Sequence, residues 1–462
     1  MATKTLVMTE GSLGKKILLF SLPLMLSNLL QILFTMADVA VVGRFAGALA
    51  LGAVGSTTTL VMLFTGFLIG FSTGINVLVA RFCGARDVRN TKETIHTAAL
   101  LCLCLGLTVM GIGQLLIHPL LTLLNTKEDL IEGATLYLRI YFSGIPALAL
   151  FNFGNAVFSA VGNTKKPLLF LSSSGAINVI LNLIFVVGLH MSVAGVALAS
   201  IISQYLSAVL ILVALLREKG DHGLRLSSLR FHGDKAIKIL SLGIPAGCQN
   251  AIFHIANLFI QAAVNSFDTV MVAGNAAAAN ADGLVYDIMG AFYTACSSFM
   301  SQNYGAGKKD RILKSYFISL AYSFSVGALL GLLLLTFGRP FLSLFATDTA
   351  VIEAGMARLT VMGLSYGVSA FMDTTIAASR GIGKSLWPTV IVIMGSCVFR
   401  IIWVYTIFAH FHTIQSLYLL YVFSWSITAI FEIAYFSHSY RKKVRPIHSA
   451  SHNAELTQGD SL

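Results

Sequence analysis

The sequence predicts an all-α membrane protein: twelve transmembrane helices in two parallel six-helix repeats. Three observations predict it. Charges are too few for a wetted surface, long uncharged runs alternate with basic blocks, and a proline pattern recurs after half the chain. Of the 462 residues, 56% are hydrophobic and only 11% charged, and the mean hydropathy is +0.80. Soluble domains carry about 25% charged residues, so a soluble enzyme is excluded. A span takes roughly 20 apolar residues, which leaves room for about a dozen helices with short turns.

The charges fix where the spans end. Basic residues cluster at Lys4, Lys15-Lys16, Arg81 to Lys92, Lys165-Lys166, Arg217 to Lys238, Lys308 to Lys314, Arg380 to Lys384 and Arg441 to Arg445. These blocks hold 25 of the 31 Lys and Arg residues. Such clustering between apolar stretches is the positive-inside pattern. The net charge of +11 is therefore read as topology rather than as a nucleic-acid face. No charge falls between Arg44 and Arg81, or between Thr94 and Thr126, and Pro167 to Leu216 is an uncharged run long enough for two helices. The expected spans are 15–40, 50–80, 93–118, 129–160, 166–189 and 193–216, then 236–263, 273–304, 312–338, 350–381, 387–409 and 415–440. An even number puts both termini on one side, and the basic blocks make that side cytoplasmic. Residues 17–37 read as a first span, not a removable signal. The six cysteines sit in apolar stretches without metal-ligand spacing and read as packing residues.

Prolines reveal the duplication. Pro23 pairs with Pro245, Pro119 with Pro340 and Pro167 with Pro388, at offsets of 221 or 222 residues. Neighbouring residues agree: Arg81-Phe-Cys-Gly-Ala85 aligns with Gln302-Asn-Tyr-Gly-Ala306. Six spans per repeat make both copies enter the membrane in the same direction, so they are parallel repeats. The expected organisation is an N-terminal six-helix bundle over 1–216, a cytoplasmic linker over 217–235, a C-terminal bundle over 236–445 and a disordered tail over 446–462. Duplicated bundles that rock about a central cavity are a common plan of secondary transporters. Nothing resembles a P-loop, which argues against an ATP-driven pump.

The chain resembles the multidrug and toxic compound extrusion (MATE) family over nearly its whole length. The resemblance is carried by Leu22-Pro23, Ala37-Asp38-Val-Ala-Val-Val-Gly-Arg44 with Leu51-Gly-Ala-Val-Gly55, Gly84-Ala85, and Asn178-Val-Ile-Leu-Asn182. Gly195-Val-Ala-Leu-Ala-Ser200, Gln302-Asn-Tyr-Gly-Ala306 and Arg380-Gly-Ile-Gly383 add to it. It implies a V-shaped pair of bundles exporting small organic cations and other drugs, coupled to inward protons or sodium, with no other cofactor. It also implies a bacterial inner membrane, and the chain is expected to work as a monomer without a nucleic-acid partner.

Acids inside spans are costly and usually face a cavity or a partner. Asp38 lies about 35 Å along the first helix from Lys15, in the outer half of the membrane. An interfacial ion pair with Arg44 is one reading of it; the resemblance makes it instead the principal coupling-ion residue, with Asn178, Asn182 and Ser200 as its neighbours. Asn182 replaces the Asp that many members carry, so the site has one charge fewer. A second candidate coupling or substrate site comprises Asp373, Asp282 and Asp287. The last two point about 140° apart on one helix, so at most one faces the cavity, and Asp282 is favoured. Glu432, Arg139 and Arg358 are expected to snorkel to an interface. Arg400 is deeper and is expected to need an acid, either Asp373 or Asp282. His254 reads as a hydrogen-bonded core residue. Phe153, Tyr286, Phe292, Tyr293 and Phe371 are candidates to stack on a flat organic cation.

The competing class is a lipid-linked saccharide flippase of the same broader superfamily. It would call for a strongly basic cavity, and the spans hold few Lys or Arg.

Overall fold

The computed structural model describes residues 6–444; the expected tail over 446–462 lies outside them. The described residues contain no strand and form twelve long helical segments. In the first repeat these are α1 (Leu13–Phe45), α2 (Gly47–Gly84), α3 (Val88–Leu123), α4 (Glu128–Ser143 and Ile145–Ala160), α5 (Lys165–Gly188) and α6 (Ser192–Arg217). The second repeat supplies α7 (Gly233–Val264), α8 (Thr269–Gly305), α9 (Lys309–Leu342), α10 (Thr349–Gly381), α11 (Leu386–Phe411) and α12 (Ile414–Lys443). Each coincides with a span expected from the charge pattern. Nine are long and apolar enough to cross a membrane, and the bent pair in α4 makes ten. The other two, α8 and α10, have 37 and 33 residues and are diluted by Asp282, Asp287, Arg358 and Asp373.

Local chemistry sets the breaks. In α4 a 45° bend falls at Gly144, because Pro146 at the start of the next segment offers no N–H to the preceding turn. Side chains of Asp87, Asp268, Asp348 and Thr413 cap the starts of α3, α8, α10 and α12, satisfying amides that have no helical partner. The final turns of α5, Leu183–Gly188, are wide π turns. Two stretches of α11, Ile393–Val398 and Val404–Phe408, are wound in the same way. Such turns are common at functional sites, and here they adjoin Asn182 and flank Arg400.

The described chain clusters into two compact units. Their boundaries fall at Leu6/Val7, inside α1 at Met25/Leu26, inside α2 at Val79/Ala80, before α3 at Arg86/Asp87 and inside α7 at Ala251/Ile252. The units thus differ from the sequence repeats: the first half of α1 belongs with the second unit, and the first half of α7 with the first.

The core of the first unit lies between α3, α4 and α6, with α5 laid against α6. Ile95, Leu138, Phe142, Val157, Phe158, Val196 and Ile211 are fully buried there. In the second unit α10 is the central helix, packed by α8, α9 and α12. Gly331 of α9 sits directly on the Gly363 carbonyl of α10, an approach that only a small residue allows within a membrane. Leucines such as Leu115 and Leu364 are nonetheless exposed.

Candidate ion-coupling site

In the first unit, Asp38 of α1 meets two helices that are distant in sequence. Asn182, at the point where α5 widens, donates its Nδ2 to Asp38 Oδ1 at 2.5 Å. The same nitrogen donates to Asn178 Oδ1 at 3.3 Å. From α6, Ser200 Oγ donates to Asp38 Oδ2 at 3.4 Å. Asn178, Asn182 and Ser200 are buried, while Asp38 is half-buried. The four residues expected to form a coupling site are therefore neighbours.

Charge balance gives this cluster its character. Among the described residues no Lys, Arg or His pairs with Asp38. Its hydrogen-bond donors are a neutral amide and a neutral hydroxyl. Asn182 Oδ1 is also buried without a hydrogen-bond partner. Carboxylate, amide and hydroxyl oxygens on three helices suit a proton or a hard cation. Tyr137 and Tyr141, one turn apart on α4, stack at 5.8 Å within reach of the Asp38 field. Sequence reasoning missed them, although two aromatics at i and i+4 share a helix face.

The second unit arranges its acids differently. Asp282 is committed to Arg358, whose Nε and Nη2 donate to Asp282 Oδ2 at 2.9 and 2.5 Å. Tyr366 donates its hydroxyl to Asp282 Oδ1. Arg358 Nη1 donates to Asn275 Oδ1 at 2.7 Å, and Tyr418 donates to the same oxygen at 3.1 Å. This corrects two expectations. Arg358 does not snorkel, because a buried acid is within reach, and Asp282 is not the cavity-facing acid of its helix. Asp287 is the exposed one.

Three further residues depart from expectation or extend it. Glu432 is fully buried, and neither of its carboxyl oxygens has a hydrogen-bond partner. It does not snorkel, since its position on α12 faces the packed side rather than the lipid. Asp373 is half-buried on α10, with Arg380 and Arg400 in electrostatic reach. His254 is half-buried.

The aromatic candidates separate into two groups. Phe153 and Phe292 are fully buried and pack in the cores of the first and second units. Phe371 is exposed and meets Phe324 edge-on. Tyr293 is half-buried, as is Tyr286, which packs edge-on against Tyr366 and Trp425.

Twelve helices in a duplicated array, with isolated acids inside their spans, define a polytopic membrane transporter rather than an enzyme. Its family follows from direct comparison. The MatE family pattern matches residues 23–184 and again residues 245–406, two copies 222 residues apart, and the chain belongs to that family of multidrug transporters. It is 28% identical over 375 residues to the probable multidrug resistance protein YpnP of Bacillus subtilis (strain 168), covering 80% of this chain and 84% of the relative. It is 26% identical over 365 residues to the FAD transporter of Shewanella oneidensis, covering 78% and 80%. Its fold matches a MOP superfamily transporter from Pyrococcus furiosus Vc1 with a TM-score of 0.89 at 21% identity, over 97% of this chain and 99% of the other. A MATE family transporter in an outward-facing conformation gives a TM-score of 0.88 at 22% identity, over 97% and 100%.

Proposed function

We propose that this protein is a secondary active exporter of organic cations and related drugs, driven by entry of protons or sodium and working by alternating access. The observation that carries the reading is Asp38, an acid in an otherwise apolar stretch of α1 whose hydrogen-bond partners are all neutral. An acid already paired with arginine, as Asp282 is, must lose that partner before it can bind another cation. Asp38 has none to lose.

Asp38 is the coupling residue in this reading, with Asn178, Asn182 and Ser200 completing its shell. Half a turn of the Asn182 amide presents Oδ1 in place of Nδ2. The cluster then offers oxygens to a cation instead of a hydrogen bond to the carboxylate. Export is driven only if the ion and the drug favour different states or compete for one site. No prosthetic group is required, and the coupling cation is the only cofactor.

The relatives named for multidrug resistance support a drug as cargo, and the FAD transporter of Shewanella oneidensis adds anionic aromatic molecules to those worth testing. The protein acts as a monomer in the plasma membrane, with both termini and the 217–235 linker cytoplasmic, as the basic blocks imply. A reporter fused at His222 that reads as external would reverse this topology. The function is tested by following ethidium in everted vesicles under an imposed proton or sodium gradient. Gradient-dependent ethidium movement supports the reading, and well-inserted protein that moves neither ethidium nor any other drug probe under either gradient refutes it.

A further inference from the structure

Two arginines lie deep inside the spans of the second unit, and the fold treats them differently. Arg358 is 6% exposed and Arg400 is 3% exposed. Arg358 donates to Asp282 and Asn275 through all three of its nitrogens. Arg400 donates one hydrogen bond, from Nε to Ser424 Oγ at 3.1 Å. A guanidinium carries five N–H groups. The four on the terminal nitrogens of Arg400 have no protein acceptor among the described residues.

What surrounds Arg400 is aromatic. Its guanidinium carbon lies 4.7 Å from the Tyr421 ring, 5.7 Å from Phe253 and 5.9 Å from Trp425. Rings hold a cation by their faces but do not satisfy its in-plane N–H groups. A second donor stands at the same place. Tyr286 touches Trp425 edge-on at 5.9 Å, is acted on by the Arg400 charge, and has a buried hydroxyl without a hydrogen-bond partner. Two π turns, Ile393–Val398 and Val404–Phe408, flank Arg400 on α11.

We propose that Arg400, with Tyr286 beside it and Tyr421 and Trp425 around it, receives an oxyanion group, a carboxylate or phosphate ester, on an aromatic transported molecule. The planar guanidinium fork matches such a group in bidentate fashion, and the rings take the aromatic body. Asp373, half-buried and within the Arg400 field, draws a cationic end of the same molecule. The second unit then prefers amphoteric aromatic molecules over simple cations. This rests on the exporter reading above, and it assigns the oxyanion end of such a molecule to a particular residue, Arg400.

The test compares three probes in everted vesicles: ethidium, a cation without an oxyanion; norfloxacin, which bears a carboxylate and an amine; and flavin mononucleotide, which bears a phosphate ester. Wild-type protein should move ethidium and at least one of the other two, and which one identifies the oxyanion. In Arg400→Gln the ratio of norfloxacin or flavin mononucleotide transport to ethidium transport should fall about tenfold to a hundredfold, the size of a lost charge-assisted hydrogen-bond pair. Arg400→Lys, which keeps charge but not the fork, should fall between the two, and it decides the matter if Arg400→Gln does not reach the membrane. An unchanged ratio in Arg400→Lys and Arg400→Gln overturns the proposal, and so does a wild-type protein that moves ethidium alone. A wild type that moves none of the three overturns the exporter reading itself.

Discussion

Arg358 and Asp282 form a buried ion pair inside the second unit, with side chains 7% and 9% exposed. The pair ties α10 to α8, and Asn275, Tyr366 and Tyr418 complete its hydrogen bonds. An acid held in this way is structural, whereas Asp38 is not so held.

Removing one partner leaves the other charge buried and alone, which costs about 3–5 kcal/mol. Arg358→Met should therefore lower the thermal stability of the detergent-purified protein sharply. The double variant Arg358→Met with Asp282→Leu should recover most of the loss, because no unpaired charge remains. A double variant less stable than Arg358→Met would show that the pair is not the reason.

Gly84 and Gly305 are 221 residues apart and meet reciprocally. A Cβ on Gly84 would run into the Gln302 carbonyl, and one on Gly305 into the Arg81 carbonyl. Gln302 and Arg81 are themselves repeat partners, so the crossing of α2 and α8 has local twofold character. Gly84→Val or Gly305→Val should destabilise by about 1–3 kcal/mol, as overpacking does. Gly111→Val, where a Cβ meets nothing within 4 Å, should cost less. Equal melting temperatures for Gly84→Val and Gly111→Val would contradict the packing account.

The linker after α6 should loosen as pH falls. Lys166 donates to Glu218 at 2.8 Å, and this hydrogen bond holds the Glu218 carboxyl below its usual range. Burial pushes His222 down, against the charge of Glu218, with Lys166 and Asp221 acting more weakly. Both groups are depressed in the fold, so each stabilises it above its unfolded pKa and ceases to as pH drops through the folded value. His222 begins to act below about pH 6.5 and Glu218 below about pH 4.3. Hydrogen exchange across 217–232 should rise in that order, while exchange that slows on acidification would reverse the sign.

Much of the fold was legible because charge marks the ends of membrane helices. Lys165, Arg217, Lys309 and Arg380 stand within the first or last turns of their helices, and the proline offsets gave the duplication. The wide turns at Leu183–Gly188 and Val404–Phe408 had no such signal, since they are set by packing rather than composition. Asn178, Asn182 and Ser200 were reached through family resemblance, and the structure brings them to Asp38. The partner of Arg358 was not legible, because Asp282 lies 76 positions away in sequence and an interfacial arginine has the same local pattern. The full burial of Phe153 and Phe292 was not legible for a related reason: a buried and a cavity-facing phenylalanine look alike in sequence.

The central claim is that Asp38 carries the coupling ion. Its repeat equivalent is the apolar Ile260, so the carboxylate is not a packing requirement of the fold. The direct measurement is ethidium transport by Asp38→Asn in everted vesicles with imposed proton and sodium gradients, at matched protein levels. Asparagine keeps the size and hydrogen bonding of the side chain and removes its charge. The account predicts a protein that inserts normally, melts within about 1 kcal/mol of wild type as expected for a near-isosteric change, and loses gradient-driven transport. Wild-type gradient-driven transport by Asp38→Asn would contradict it and move the coupling role to Asp373 or Asp287.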